Sequence, residues 1–519
     1  MEPYSPIFGH LPLMRALRQN WPSDAHTTYV NIKIAREWKK YFPKATECPP
    51  VIYIDLWPIM SQPFAMIIDP AFAAQLTQET PQPRHFMFKW AQIPLTGGLD
   101  LLSIDPANHK LWRSRLSPGF SPRNLATHVP AIIEEVEIFA DAIKAKAGKG
   151  ADWGEMFTLY DKLIALTFDV IMRVATGLRS FEQSNNTPGP MLLALRTLIS
   201  YAKFNSLPNR LERLTPKYKR NIDHNAKIME DILRPQIASR LAASDTTRDQ
   251  KTIIDMAIRE VKNSGQTPSS DFIDVVVSNI KTFLFAGHDT TAQTLGWVYW
   301  ELQQHPEVLA KMRAEHDEIL GPDPKRAKPI LSQNHHKLNE LRYTVAVIKE
   351  TLRLRTPAGT IRETARDFQL IAPGGIVYPT QNAVTQTIPA VIHISPAHWP
   401  RPAEFLPERF LANPTNDDDD PLHHPVRNRN AYRPFELGST RCIGEELAMM
   451  EMKLALVFTL RELDVDCNYA LWDRVVGRAV GPGEGLVDGQ RAYRAGQGIG
   501  YIKDNLPARV RWRSTELAR

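Results

Sequence analysis

Residues 434–456 read PFELGSTRCIGEELAMMEMKLAL. The fold turns on how Cys442 in this stretch is read, because the chain has only 3 cysteines in 519 residues. Gly438 and Gly444 frame it, and a strongly helical run follows. Glycines there free the backbone for a tight turn and let a flat ligand approach closely. A helix beginning near Ile443 would aim its unpaired N–H groups and positive dipole end at the sulfur, favouring thiolate over thiol. With no second cysteine or histidine beside it, the site is a poor one for zinc, since closed zinc sites want four ligands. Taken alone, the stretch leaves four readings open: an inert small hydrophobe, half of a disulfide, a nucleophile, or the ligand of an ion whose other positions are already filled.

Composition narrows the field. Hydrophobic residues make up 43% and charged residues 23% of the chain, the balance of a globular protein able to bury a large core. Cys48 and Cys467 lie far apart with no framework spacing, which points to a reducing compartment without structural disulfides. The net charge of +6 is spread along the chain, and no basic cluster with interleaved aromatics suggests nucleic acid. The acidic run Asp417–Asp420 reads as a solvated surface loop. No window of about 18 apolar residues offers a transmembrane helix. The opening MEPYSPIFGHLPLM has no basic segment followed by an apolar one, so it does not read as a signal peptide.

Residues 1–105 mix short β-rich runs such as VIYIDLW and FAMIID with loops. Apolar residues at three- and four-residue spacing make 106–360 predominantly helical. Residues 361–435 are proline-rich with short strands, helix returns at 443–462, and the tail alternates glycine-rich turns with strand-like runs. The expectation is a mostly α fold with small β-sheets, forming a single catalytic domain over 1–519.

Within the helical part, KTFLFAGHDTTAQTLGWVYWEL (281–302) is a long apolar helix carrying a polar knot. Ala286 and Gly287 leave room for something bulky to lie against it. Asp289 and Thr290 add a carboxylate and a hydroxyl at the same point. A helical threonine can bond back to a carbonyl one turn earlier and open a gap for water. Acid, alcohol and water together make a proton relay; the plainer alternative is a packing notch in a core helix.

Two further stretches hold charges at helical spacing. NELRYTVAVIKETLRLRTP sets Glu350 and Arg353 at i, i+3 on one face. Such a pair is usually solvated and worth little, but Arg409 of FLPERF could complete a buried bidentate network. DPANHKLWRSRLSPGFS sets His109 and Arg113 at i, i+4, both able to donate to an anion, and TPAGTIRETARDF adds Arg362 in a strand-like run.

In this order, these stretches resemble the cytochrome P-450 superfamily of haem-thiolate monooxygenases. Phe435, Gly438, Cys442 and Gly444 look like that family's cysteine-ligand loop, AGHDTT like its oxygen-activation helix, and Glu350, Arg353 and Arg409 like its Glu-Arg-Arg triad. ETLRLRTPAG and FLPERF resemble the fungal microsomal branch that tailors secondary metabolites. One departure stands out. The family usually carries an arginine two residues before the cysteine, meeting a haem propionate; here that position is Thr440 and the arginine is Arg441. Neighbours in a tight loop point different ways, so His109, Arg113 and Arg362 are expected to carry more of the propionate charge.

The resemblance implies a triangular-prism fold with haem between the long central helix and the cysteine-loop helix. It makes Cys442 the axial thiolate and metal ligand, with Asp289 and Thr290 delivering protons during oxygen activation. By family position the substrate pocket is expected to involve Phe86, Phe88, Trp90, Phe285, Ala286, Ala358, Gly359 and the turn at Gln497, an apolar lining suited to a hydrophobic natural product. No flavin or nicotinamide motif occurs, so NADPH-derived electrons would come from a separate NADPH–cytochrome P-450 reductase, with cytochrome b5 a further donor, to a monomer. The resemblance also implies the cytosolic face of the endoplasmic reticulum membrane if an anchor precedes this sequence, and a cytoplasmic location for the chain as it stands. Two rival functions are oxidative coupling or ring closure without oxygen insertion, and non-catalytic haem binding.

Overall fold

The computed structural model describes residues 1–185, 187–203, 207–243, 251–411, 429–481 and 483–513. Asp417–Asp420 lies outside them. The apolar stretch around AGHDTT runs on in both directions into a helix of 35 residues, Ser270–Gln304, which Ser269 caps by accepting from the N–H of Phe272. It is apolar nearly all round and correspondingly buried, with Ile280, Leu284, Leu295 and Val298 inaccessible to solvent.

Helix Leu159–Thr176 packs along this central helix, and helix Glu445–Leu460 packs against helix Pro122–Lys144. The four share one core, to which Phe168, Leu166, Phe139, Trp297 and Leu456 all belong. Two glycines of the central helix permit the close approach of neighbours. A Cβ at Gly287 would lie 2.9 Å from Ile171 Cγ1, and one at Gly296 would lie 2.6 Å from Ile502 Cδ1. At Gly287, therefore, the bulky neighbour is Ile171 of the adjacent helix, and this position is a packing notch.

The sheets are small. The largest has the order Val51–Ile54, Phe64–Ile67, Val384–Thr387, Ile361–Arg362, paired antiparallel, parallel and antiparallel. A three-stranded sheet joins Phe157–Thr158, Pro507–Trp512 and Leu463–Cys467. The first sheet positions the site, because Arg362 pairs with Thr385 and an isolated bridge sets Arg84 opposite Arg362.

The mostly α architecture with small sheets agrees with the sequence reading. Its account of 1–105 as β and loop does not hold, since this part contains helices Leu11–Arg18, Thr28–Arg36 and Phe86–Thr96. They are short, and Pro94 interrupts the third; too few turns repeat for apolar spacing to reveal them.

Candidate active site

The cysteine loop is closed by backbone hydrogen bonds and by a glycine at its tightest point. Gly438 adopts φ +86°, and a Cβ there would lie 2.0 Å from the Thr77 carbonyl oxygen, so only glycine lets the loop pass. The Cys442 N–H donates to the Phe435 carbonyl at 2.8 Å, closing the turn. Gly444 precedes helix Glu445–Leu460, and a Cβ on it would come within 3.9 Å of the Cys442 Sγ. Cys442 is a free thiol and accessible to solvent, although protein surrounds it. Burial pushes its thiol up, while the Gly444 N–H and the charges of Arg113 and Arg84 pull the other way. The N–H at the helix start thus favours thiolate, as the sequence suggested, but burial outweighs it; a metal cation at the sulfur would tip the balance.

Behind the loop lies a buried charged frame. Glu350 accepts from Arg353 Nε at 2.7 Å and Nη2 at 2.8 Å, from Arg409 Nε at 3.2 Å, and from the Leu406 N–H at 2.8 Å. All three charged side chains are fully buried. The remaining Arg353 donors reach the carbonyls of His393, Pro402 and Glu404. His393 ties this frame to the cysteine loop, since its Nε2 accepts from the Arg433 N–H at 2.9 Å. Arg433 in turn pairs with Glu436 at 2.7 Å. Burial, with Arg353 and Arg433 nearby, pushes the His393 imidazole down to about 3. Neither His393 nor the Arg433–Glu436 pair was singled out from the sequence.

In front of the loop the arrangement reverses. Among the described residues, the side chains of His109 and Arg113 have no hydrogen-bond or ion-pair partner. Arg362 donates to the Gln82 carbonyl at 3.0 Å and to Thr440 Oγ1 at 2.5 Å, and its buried Nε has no partner. Arg84 joins them, donating to the Leu101 carbonyl at 2.9 Å. Burial and the three arginines push the His109 imidazole down to about 4. Arg441 stands apart, 55% exposed and 3.5 Å from Glu445.

Along the central helix, residues 276–284 and 291–299 are buried, whereas Phe285, Ala286, Gly287, Asp289 and Thr290 are partly accessible. The Thr290 hydroxyl donates to the Ala286 carbonyl at 2.8 Å. Asp289 Oδ1 accepts from the Tyr160 hydroxyl at 3.3 Å and lies 3.9 Å from His288 Nε2. Tyr160 was not anticipated from the sequence. Ala358 and Gly359 are exposed between buried Pro357 and Thr360.

Of the remaining pocket residues, Phe86 is exposed, Phe88 is half-buried, and Trp90 is covered by Arg213, whose guanidinium carbon lies 3.4 Å from the ring centre. Gln497 is exposed, and its turn is held to the central helix by Gln293, which donates to the carbonyls of Ile499 and Gly500. A separate cleft of about 1600 Å³ lined by Trp297, Trp300, Glu301 and Arg355 lies elsewhere. Two of its charges pair with each other, Arg355 with Glu301 at 2.9 Å.

A family model for cytochrome P450 matches residues 35–470. The cytochrome P450 monooxygenase polC of Polytolypa hystricis is 32% identical over 517 residues, covering 98% of this chain and 89% of the relative. The monooxygenase acrF of Aspergillus aculeatus is 32% identical over 483 residues, covering 88% and 93%. The crystal structure of the cytochrome P450DA heme domain shares the fold at a TM-score of 0.74, with 21% identity and coverage of 99% and 96%. The chain belongs to the cytochrome P450 family and is an enzyme of the monooxygenase class, whose prosthetic group is haem held by a cysteine thiolate.

The residues present fit that group. Haem needs a reachable sulfur, a loop that a flat ring can approach, and cations for its two carboxylates. Cys442, the glycine-framed turn and the uncompensated donors of Arg362, Arg113 and His109 answer these in turn.

Proposed function

We propose that this protein oxidises a hydrophobic small molecule, by hydroxylation or epoxidation, using dioxygen and electrons that a separate NADPH–cytochrome P450 reductase delivers. The single catalytic unit spans the chain. Haem, when bound, supplies the oxidising chemistry. The residues would act on it from two sides. Cys442 would hold the iron, while Arg362 and Arg113 would neutralise the carboxylates and His109 would donate a hydrogen bond to them.

On the central helix, Asp289 and Thr290 are adjacent and face about 100° apart, so they divide the proton work. The Thr290 hydroxyl spends its proton on the Ala286 carbonyl, which leaves its oxygen to accept from water in the accessible notch. Asp289 keeps one carboxylate oxygen on Tyr160 and has the other free to pass protons inward. A non-catalytic haem binder needs no such pair.

The observation that carries this reading is the accessible Cys442 thiol beside a cluster of donors to which, among the described residues, no carboxylate is bonded. Phe86, Phe88, Phe285, Ala286 and Ala358 support an apolar substrate, and the fungal relatives support a secondary metabolite. Among the described residues no helix is long and apolar enough to cross a membrane. Support for a membrane-surface location comes from exposed Ile7, Phe8, Trp57 and Ile59, which the His10 N–H to Asp55 carbonyl bond draws together.

The test is turnover with reductase, NADPH and a panel of hydrophobic metabolites under isotope-labelled dioxygen. Label in the product is the expected result. Product without label would mean coupling or ring closure instead. A protein that binds haem and consumes neither NADPH nor substrate would overturn the reading.

A further inference from the structure

Arg84 has no part in the sequence reading, yet it lies beside the cysteine loop. It precedes helix Phe86–Thr96 and is fixed by main chain: the bridge to Arg362, and donation to the carbonyls of Leu101 at 2.9 Å and Thr440 at 3.4 Å. Its guanidinium therefore lies against the cysteine loop at Thr440, whose side chain is already taken by Arg362. Arg362 and Arg113 both act on Arg84 as like charges, and burial and these neighbours together push it down to about 10. The carboxylate that acts on it, Asp100, is fully buried and has its oxygens on Thr96 Oγ1, Ser103 Oγ and the Leu102 N–H. Asp100 makes no ion pair with Arg84.

Three guanidiniums and an imidazole thus gather beside Cys442, and among the described residues no carboxylate is bonded to any of them. Held this way they repel one another, and a fold gains nothing from such an arrangement unless an anion completes it. Arg441, the arginine of the cysteine loop itself, is exposed and turned to Glu445.

We propose that Arg84 is a cofactor-carboxylate ligand that takes over, from outside the cysteine loop, the position Thr440 leaves without a charge. This rests on the haem-thiolate reading and extends it by one residue. Arg84 shares the anion with Arg362, Arg113 and His109. It also connects the anion to the central helix, because Leu101, whose carbonyl it holds, donates its own N–H to Asn279 Oδ1 at 3.0 Å.

The test is a cycle between the protein cation and the cofactor anion. The full chain and its Arg84→Gln, Arg84→Lys and Arg441→Gln variants are loaded with haem or with haem dimethyl ester, and haem loss to excess apomyoglobin is timed. With haem, Arg84→Gln is expected to lose the cofactor about tenfold to a hundredfold faster, the range for one charge-assisted hydrogen bond. Arg84→Lys should fall between, and Arg441→Gln should match the parent. With the ester, whose carboxylates are masked, parent and Arg84→Gln should release at the same rate. Equal rates with haem, or the same acceleration with haem and ester, would overturn the proposal, the second by making Arg84 a purely structural tie to Leu101. Failure of the underlying reading is separately visible: the parent's reduced carbon monoxide complex would then lack the thiolate-type spectrum with either cofactor.

Discussion

Behind the cysteine loop, Glu350 is bonded to two arginines and a backbone N–H, and His393 and Arg433 carry the same network forward to the loop. In front of the loop, Arg84, His109, Arg113 and Arg362 crowd together, and among the described residues no carboxylate is bonded to them. Both regions gather charge, but among the described residues only the first pairs it with a bonded carboxylate. A buried charge with its partner in the same fold contributes to folding, and its loss is felt there. A charge left without one makes its gain when a ligand arrives. Substitutions behind the loop should therefore alter stability, and those in front should alter the cofactor and its chemistry while the fold stands.

The largest effect is expected at the loop itself. Cys442→Ser should abolish the thiolate-type spectrum of the reduced carbon monoxide complex, since Cys467 is buried in the core and Cys48 belongs to a separate apolar cluster. An unchanged spectrum would remove the basis of the comparison.

Asp289→Asn comes next and probes the front side. Turnover should fall about 10²–10⁴-fold, the usual contribution of a positioned proton donor, with haem content and melting unchanged. Thr290→Ala should keep NADPH consumption while product falls, because its oxygen no longer steadies water. Wild-type coupling in both variants would reduce AGHDTT to a packing notch, a role Gly287 already fills against Ile171.

Glu350→Ala tests the back side. Two buried guanidiniums lose their counter-charge, and a loss of about 3–5 kcal/mol is expected from denaturant unfolding, a large share of a domain's margin. Poor haem retention should follow from the loosened loop. A variant that melts normally with full haem would show that the frame and the loop are not coupled.

How far the sequence showed this division depends on distance along the chain. Glu350 and Arg353 are one helical turn apart, and Asp289 and Thr290 are adjacent, so spacing alone put each pair together. The cysteine loop was legible because glycines at 438 and 444 constrain it locally. Arg84 was invisible because its partners Thr440 and Arg362 lie hundreds of residues away and meet it only through a sheet edge. His393 was invisible for the same reason, as it bridges Arg353 and Arg433 from a proline-rich run whose spacing suggests no element. Tyr160 read as one more apolar position on an amphipathic helix, and only the packing of that helix on the central one brings its hydroxyl to Asp289. Spacing reports neighbours on one element; it does not report which distant element covers them.

The smallest effect separates the two sides by pH. His393 and His316 are fully buried, each pushed down to about 3 by desolvation and by neighbouring arginines. His393 Nε2 accepts from the Arg433 N–H, so a proton on that nitrogen would set donor against donor. In the unfolded chain the same imidazoles take up protons near 6.5. Between that value and about 3 the unfolded state binds more protons, so stability falls as pH falls. Each histidine contributes a slope of at most about 1.4 kcal/mol per pH unit in that window. His393→Gln keeps an acceptor for Arg433 but cannot titrate. It should be less stable than the parent near neutral pH, because the glutamine packs less well, and its stability should decline less steeply with acid. Denaturant midpoints measured on haem-loaded protein across the window, at fixed free haem, give the two slopes. Parallel lines would mean that His393 already carries its proton in the folded state. The link from the frame to the loop would then set an imidazolium against the Arg433 N–H and its like charge, and the back side would share the front side's crowding of cations.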